Sequence, residues 1–157
     1  MCDSLDLDKH KNCIEFNDDR LNIAIKDSGN TQTFRAKNKN RYILICLKID
    51  GCVIKDGKKA DFLLCVQKKD INDVYIIELK GKKLKNAIEQ IIETIKFFNF
   101  QNVNLKARIV LNKVPGGYDS EEKKLIKLLK QYSNLSANKL YDRYKNGQKI
   151  EYIWNLL

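Results

Sequence analysis

Asp61, Glu78 and Lys80 are the residues of this sequence whose types and spacing could do chemistry. Asp61 opens one apolar run, Phe62 to Val66, and Glu78 and Lys80 close another, Val74 to Leu79. The polar stretch between them, Gln67 to Asp73, has the composition of a hairpin loop, so adjacent antiparallel strands are expected. In such a pair the start of one strand lies beside the end of the other, and two carboxylates and an ammonium meet at one sheet edge. Alternation puts Glu78 and Lys80 on one face and Leu79 on the other. That set suits metal-assisted phosphodiester chemistry. Magnesium takes hard oxygen ligands and keeps several waters, so one or two carboxylates beside a substrate phosphate suffice. A lysine two residues on can orient or help deprotonate the attacking water and offset charge on the phosphorane. The plainer reading makes Asp61 a strand-edge turn residue and Glu78–Lys80 a surface ion pair. Glu-x-Lys alone is common; the apolar strand running into the charges, the Asp-led strand upstream and the helix downstream favour chemistry.

The elements that must position these residues follow from the apolar pattern. Tyr42 to Ile49 is an almost continuous apolar run and reads as a well-buried strand. Asp50-Gly51 and Asp56-Gly57 are turn dipeptides on either side of residues 52–55, and Asp50 is read first as a turn residue and second as a further acid near the site. From Lys82, Leu84, Ala87, Ile88, Ile91, Ile92, Ile95 and Phe98 form the stripe of an amphipathic helix of about sixteen residues, with Gln90 beside it. Lysines 82, 83 and 85 sit at its start, where like charge opposes the macrodipole and a nearby phosphate would relieve it. Leu105 to Asn112 is a further strand, expected parallel to the Glu78 strand through a βαβ crossover. A loop at Val114 to Tyr118, a helix opened by Ser120-Glu-Glu, and a terminal strand at Lys149 to Trp154 joining the sheet edge complete residues 114–157. Residues 1–40 are poorly legible: Leu21 to Ile25 and Thr31 to Ala36 read as a hairpin about Asp27-Ser-Gly-Asn30.

Asp61-Phe-Leu-Leu, then Ile76-Ile-Glu78-Leu-Lys80-Gly81, then Ala87-x-x-Gln90 on a helix resemble the core of the PD-(D/E)xK nuclease superfamily, the restriction-endonuclease-like fold. The resemblance covers residues 42–113. It implies an α/β fold with a mixed sheet of four to six strands flanked by helices, and the length of 157 residues with no dividing linker fits a single domain over 1–157. It also implies Asp61 and Glu78 as metal ligands for Mg²⁺ or Mn²⁺, the backbone carbonyl of Leu79 as a further ligand, and Lys80 and Gln90 as catalytic side chains. The sequence departs from the pattern at Ala60, where the family often has Pro, and at Thr94, where one branch has Tyr. For the acid on an N-terminal helix found in several branches, Glu15 is the nearest match.

Thirty Lys and Arg against twenty Asp and Glu give a net charge of +10. The excess suits a polyanion, although a Lys- and Asn-rich composition alone produces the same number. Five cysteines with no C-x-x-C spacing and a single His supply neither a zinc site nor a Cys-His pair. No signal peptide or apolar run of membrane-spanning length is present, so a cytoplasmic protein with reduced thiols is expected.

Three functions follow. The first is a metal-dependent nuclease, acting on DNA by the resemblance, with a homodimer needed to cut both strands of a duplex. The second is a nuclease-like module that binds nucleic acid or protein without cutting, against which the intact Asp, Glu and Lys argue. The third is an oligomeric scaffold that uses the terminal strand with Tyr152, Ile153 and Trp154, followed by Leu156 and Leu157.

Overall fold

The computed structural model describes Cys2, residues 5–80 and residues 83–153. Its strands in chain order are β1 (Ile14–Asp18), β2 (Asn22–Lys26), β3 (Thr33–Lys37), β4 (Ile43–Lys48), β5 (Phe62–Gln67) and β6 (Asn72–Lys80). The helix α1 (Leu84–Phe98) leads to β7 (Val103–Leu111). Then come α2 (Ser120–Leu129), the short α3 (Ala137–Leu140), β8 (Tyr141–Lys145) and β9 (Glu151–Tyr152).

Six strands form one mixed sheet in the order β1-β4-β5-β6-β7-β8, and β2, β3 and β9 form a smaller one. The pairs from β1 through β6 are antiparallel; β6, β7 and β8 run parallel. The apolar runs of β4, β5 and the centre of β6 have a direct cause, since both faces of the sheet are covered. On one face, Val74 and Ile76 of β6 and Leu105 and Ala107 of β7 pack with Ala87, Ile88, Ile91 and Ile95 of α1. On the other, Tyr75 and Ile77 pack with Ile23, Ile25, Phe34 and Ala36 of the small sheet. Helices, large sheet and small sheet therefore stack as layers, and the β6–α1–β7 crossover is the expected βαβ unit. Helix α1 ends at Asn99, whose left-handed backbone (φ 49°) closes the last turn with an N–H···O bond to Ile95. Among the described residues no helix is long and apolar enough to cross a membrane.

Several expectations are corrected. The terminal strand does not join the edge of the large sheet: β9 is two residues long and pairs parallel with β3, Ala36 opposite Glu151. A buried ion pair, Arg108 to Glu151 at 2.9 Å, fixes it there. The edge is β8, which with α3 was not read from the sequence. Tyr141-Asp-Arg-Tyr-Lys carries only two apolar residues, too few for a pattern. The opposite edge, β1, was also missed, for the same reason. Helix α2 is capped by Asp119 rather than Ser120, in a capping box with Glu122. Four of the five cysteines are paired, Cys2 with Cys65 and Cys13 with Cys52, and only Cys46 remains a thiol. These partners lie 63 and 39 residues apart, separations that carry no sequence signal before the strands are assembled. Gly81, Lys82, Trp154, Leu156 and Leu157 lie outside the described residues.

Candidate active site

The pairing of β5 with β6 sets the geometry. Phe62 lies opposite Ile77 and Leu63 opposite Ile76, so the next step of the register brings Asp61 opposite Glu78. Parity puts both on the α1 side of the sheet, with Leu63, Cys65, Val74 and Ile76. The two residues clasp each other through the backbone. The Asp61 N–H donates to Glu78 Oε2 at 3.1 Å, and the Leu79 N–H donates to Asp61 Oδ2 at 2.8 Å. Each carboxyl group is thereby fixed by one oxygen. Among the described residues no donor reaches the other oxygens, Asp61 Oδ1 and Glu78 Oε1. Lys80, two residues beyond Glu78 and half-buried, shares that face and makes no ion pair among the described residues.

Both acids are buried, Glu78 with 1% and Asp61 with 7% of its surface exposed. Burial is the main cause that raises the Asp61 carboxyl to about 6, with the negative charges of Asp27 and Asp50 adding to it. Burial raises Glu78 further, to about 9, and the adjacent Asp61 carboxylate is the next cause. The Lys80 ammonium acts against both shifts. Nearby Asp27 is paired with Lys48 at 3.5 Å and Asp50 with Lys59 at 3.7 Å. Two buried carboxyl groups on adjacent strands, close enough for the charge of Asp61 to raise Glu78, cannot both ionise cheaply without a cation nearby.

The other sequence-predicted residues divide. Asp50 is brought to the site: its N–H and that of Ile49 reach the Asp61 carbonyl at 3.4 and 2.9 Å, and its charge is felt by both acids. Gln90 lies on α1 with its Oε1 buried and accepting no hydrogen bond, and no hydrogen bond among the described residues joins it to Asp61, Glu78 or Lys80. Thr94, one turn further on and noted only as a departure, fastens the helix to the site. Its hydroxyl accepts from the Ala60 N–H at 2.8 Å and donates to the Gln90 carbonyl at 2.8 Å. The Leu79 carbonyl already accepts from the Asn30 side chain at 3.3 Å, which leaves one lone pair for a further partner. Glu15 is an exposed residue of β1, on a strand rather than a helix, and is not part of the site.

Sequence reasoning missed Asn30 and Asp27. Both belong to the turn of the β2–β3 hairpin, and only the stacking of the small sheet on the large one carries that turn to the end of β6. Their residue types signal a turn and nothing more.

Among the described residues no three His, Cys, Asp or Glu side chains gather as a metal site. The free oxygens of Asp61 and Glu78 are nonetheless hard donors of the kind a divalent cation takes, and the rest of its shell would have to come from water or other ligands. No family model matches the chain, no curated protein matches it and no solved structure matches it.

Proposed function

We propose that this protein is a metal-dependent nuclease of the restriction-endonuclease-like kind, hydrolysing phosphodiester bonds in DNA. The single observation that carries the reading is the clasped pair Asp61 and Glu78, each with one oxygen fixed by a backbone N–H and the other free, with Lys80 on the same face. Mg²⁺ or Mn²⁺, when bound by Asp61, Glu78 and the Leu79 carbonyl, supplies a lowered water pKa and a positive charge at the phosphate. The chain's own residues do the rest. The backbone clasp holds both carboxylates without side-chain rearrangement, which is the preorganisation that electrostatic catalysis needs. The Lys80 ammonium orients the attacking water and donates to the phosphate oxygen on which charge accumulates. Gln90, whose buried amide oxygen accepts no hydrogen bond among the described residues, is assigned here to positioning a water. A net charge of +10 draws the polyanion toward the site. Where both strands of a duplex are to be cut, two copies of this single site are needed, and a homodimer would supply them.

A second reading, a module that holds nucleic acid without cutting it, is favoured by one observation: only two acidic side chains form the pair. Incubation with plasmid, linear and single-stranded DNA, with and without Mg²⁺ or Mn²⁺, separates the two. Wild-type protein is expected to cut only with the cation. Asp61→Ala and Glu78→Ala are expected to lose more than the roughly 10- to 100-fold typical of losing an outer-shell partner, while DNA affinity is kept or raised. Lys80→Ala is expected to lose rate but retain the cation. Equal cleavage by all three variants and wild type would exclude the assignment.

A further inference from the structure

A cavity of about 480 Å³ opens beside the Glu78–Lys80 end of β6 and plays no part in the scheme above. Its floor is Leu111, the last residue of β7 and the register partner of Lys80. Leu84, at the start of α1, and Pro115 make its sides, and Lys83, Lys113, Asn112 and Asp119 stand around its mouth. Leu111 packs with the α1-side core, so the cavity opens on the same face of the sheet as Glu78 and Lys80. With strands about 4.8 Å apart and about 3.3 Å per residue, the backbone at Leu111 lies about 8 Å from that at Glu78. That is within reach of one nucleotide.

The cavity is built rather than left over. The segment that supplies Asn112, Lys113, Pro115 and Asp119 to the lining is tied down by bonds at each end and in the middle. Gln32 donates to Asn112 Oδ1, Arg143 donates to the Pro115 and Gly117 carbonyls, and Asp119 is committed to capping α2. Those same bonds leave Asn112 Nδ2 as a donor and Asp119 Oδ2 as an acceptor with no protein partner among the described residues. An aliphatic lining of Leu84, Leu111 and Pro115, one free donor and one free acceptor, and two ammonium groups suit a nucleobase attached to a phosphodiester strand. Past the rim, the half-exposed Tyr118 ring lies with the Arg143 guanidinium 5.0 Å from its centroid, a platform on which the next base can stack.

We infer that this cavity takes one unstacked base of the substrate strand next to the bond that is cut, so that the preferred substrate is single-stranded or locally unpaired DNA. A base stacked in a B-form duplex cannot enter without being unpaired and unstacked, which sets the preference against intact duplex. The inference rests on the proposed nuclease reading for its register but is tested apart from it.

Wild-type protein with Mg²⁺ is given a single-stranded oligonucleotide, the matching duplex, and single strands with one abasic position moved along the sequence. The expected result is faster cutting of the single strand, and a loss of about tenfold or more when the abasic position falls beside the cut. Leu84→Trp and Pro115→Trp fill the cavity and are expected to slow cutting of the normal strand to a similar degree, with little further loss on the abasic one. Pro115 is exposed, so that variant remains informative if Leu84→Trp disturbs the core. Equal rates on abasic and normal strands, or normal rates in folded Pro115→Trp, would overturn the inference. If wild type cuts nothing, the nuclease reading fails and the cavity is judged by binding alone, with 2-aminopurine in the strand and Glu78→Gln as the protein. An emission change lost in Pro115→Trp supports the cavity, and no change refutes it.

Discussion

Glu78 carries the largest electrostatic load of any residue near the site, and its effect on stability has a definite sign. Its carboxyl titrates near 4.5 in an unfolded chain and is raised to about 9 in the fold, chiefly by burial and then by the Asp61 charge. Between those two values the unfolded chain binds fewer protons than the folded one, so stability falls as pH rises. The contribution is intact below about pH 4.5, is lost progressively up to about pH 9, and scales at about 1.4 kcal/mol per pH unit as an upper bound. Asp61 adds the same trend over a shorter window, up to about 6. The metal-free protein is therefore expected to lose stability steadily from pH 5 to 9 in denaturant titrations. Glu78→Gln should flatten most of that slope, and Mg²⁺ should reduce it in the wild type only. A wild-type slope unchanged by Glu78→Gln would mean that the carboxyl is ionised in the fold.

At the scale of elements, the site depends on how α1 is fastened to the start of β5. A buried side-chain hydrogen bond there runs from the Ala60 N–H, in the residue just before Asp61, to the Thr94 hydroxyl, and an exposed pair, Lys58 to Glu89 at 2.6 Å, lies further out. Thr94→Val keeps the shape and removes the acceptor, leaving a buried amide unpaired at a cost of about 1–3 kcal/mol. Thr94→Ser restores the hydroxyl and is expected to recover most of that loss in urea unfolding. If the clasp on Asp61 relies on this anchor, Thr94→Val also lowers kcat more than it raises KM. Equal stability of the Val and Ser variants would remove Thr94 from the account.

Two properties belong to the whole molecule. The disulfides tie the N-terminal segment to the large sheet, Cys2 to β5 and Cys13 to the turn that carries Asp50. A closed loop of 39 residues is worth about 4 kcal/mol by the chain-entropy estimate, so reduction is expected to lower the Tm by many degrees. Thiol titration of the unfolded, unreduced chain should find one free cysteine, Cys46; five would show that the pairs do not form. The second property is assembly. Sedimentation at micromolar protein is expected to give a homodimer, and a clean monomer of about 18.3 kDa with and without DNA would rule it out.

The local pattern of the sequence was enough for the strands β4, β5, β6 and β7, the helix α1 and the juxtaposition of Asp61 with Glu78. Those segments are long, strongly apolar and periodic, and a hairpin register fixes which residues face each other without any distant contact. The β2–β3 hairpin was legible for the same reason. What the sequence could not supply were relations between segments that share no local signal. The short edge strands β1 and β8 are held by pairing with a neighbour rather than by their own residues. The parallel docking of β9 on β3 depends on Arg108 meeting Glu151 across 43 positions. The disulfide pairing, the arrival of Asp27 and Asn30 at the end of β6, and the cavity between Leu84, Leu111 and Pro115 each require layers to be stacked first. A turn residue has the same composition wherever its turn is carried, so only the tertiary structure decides that this one reaches the site.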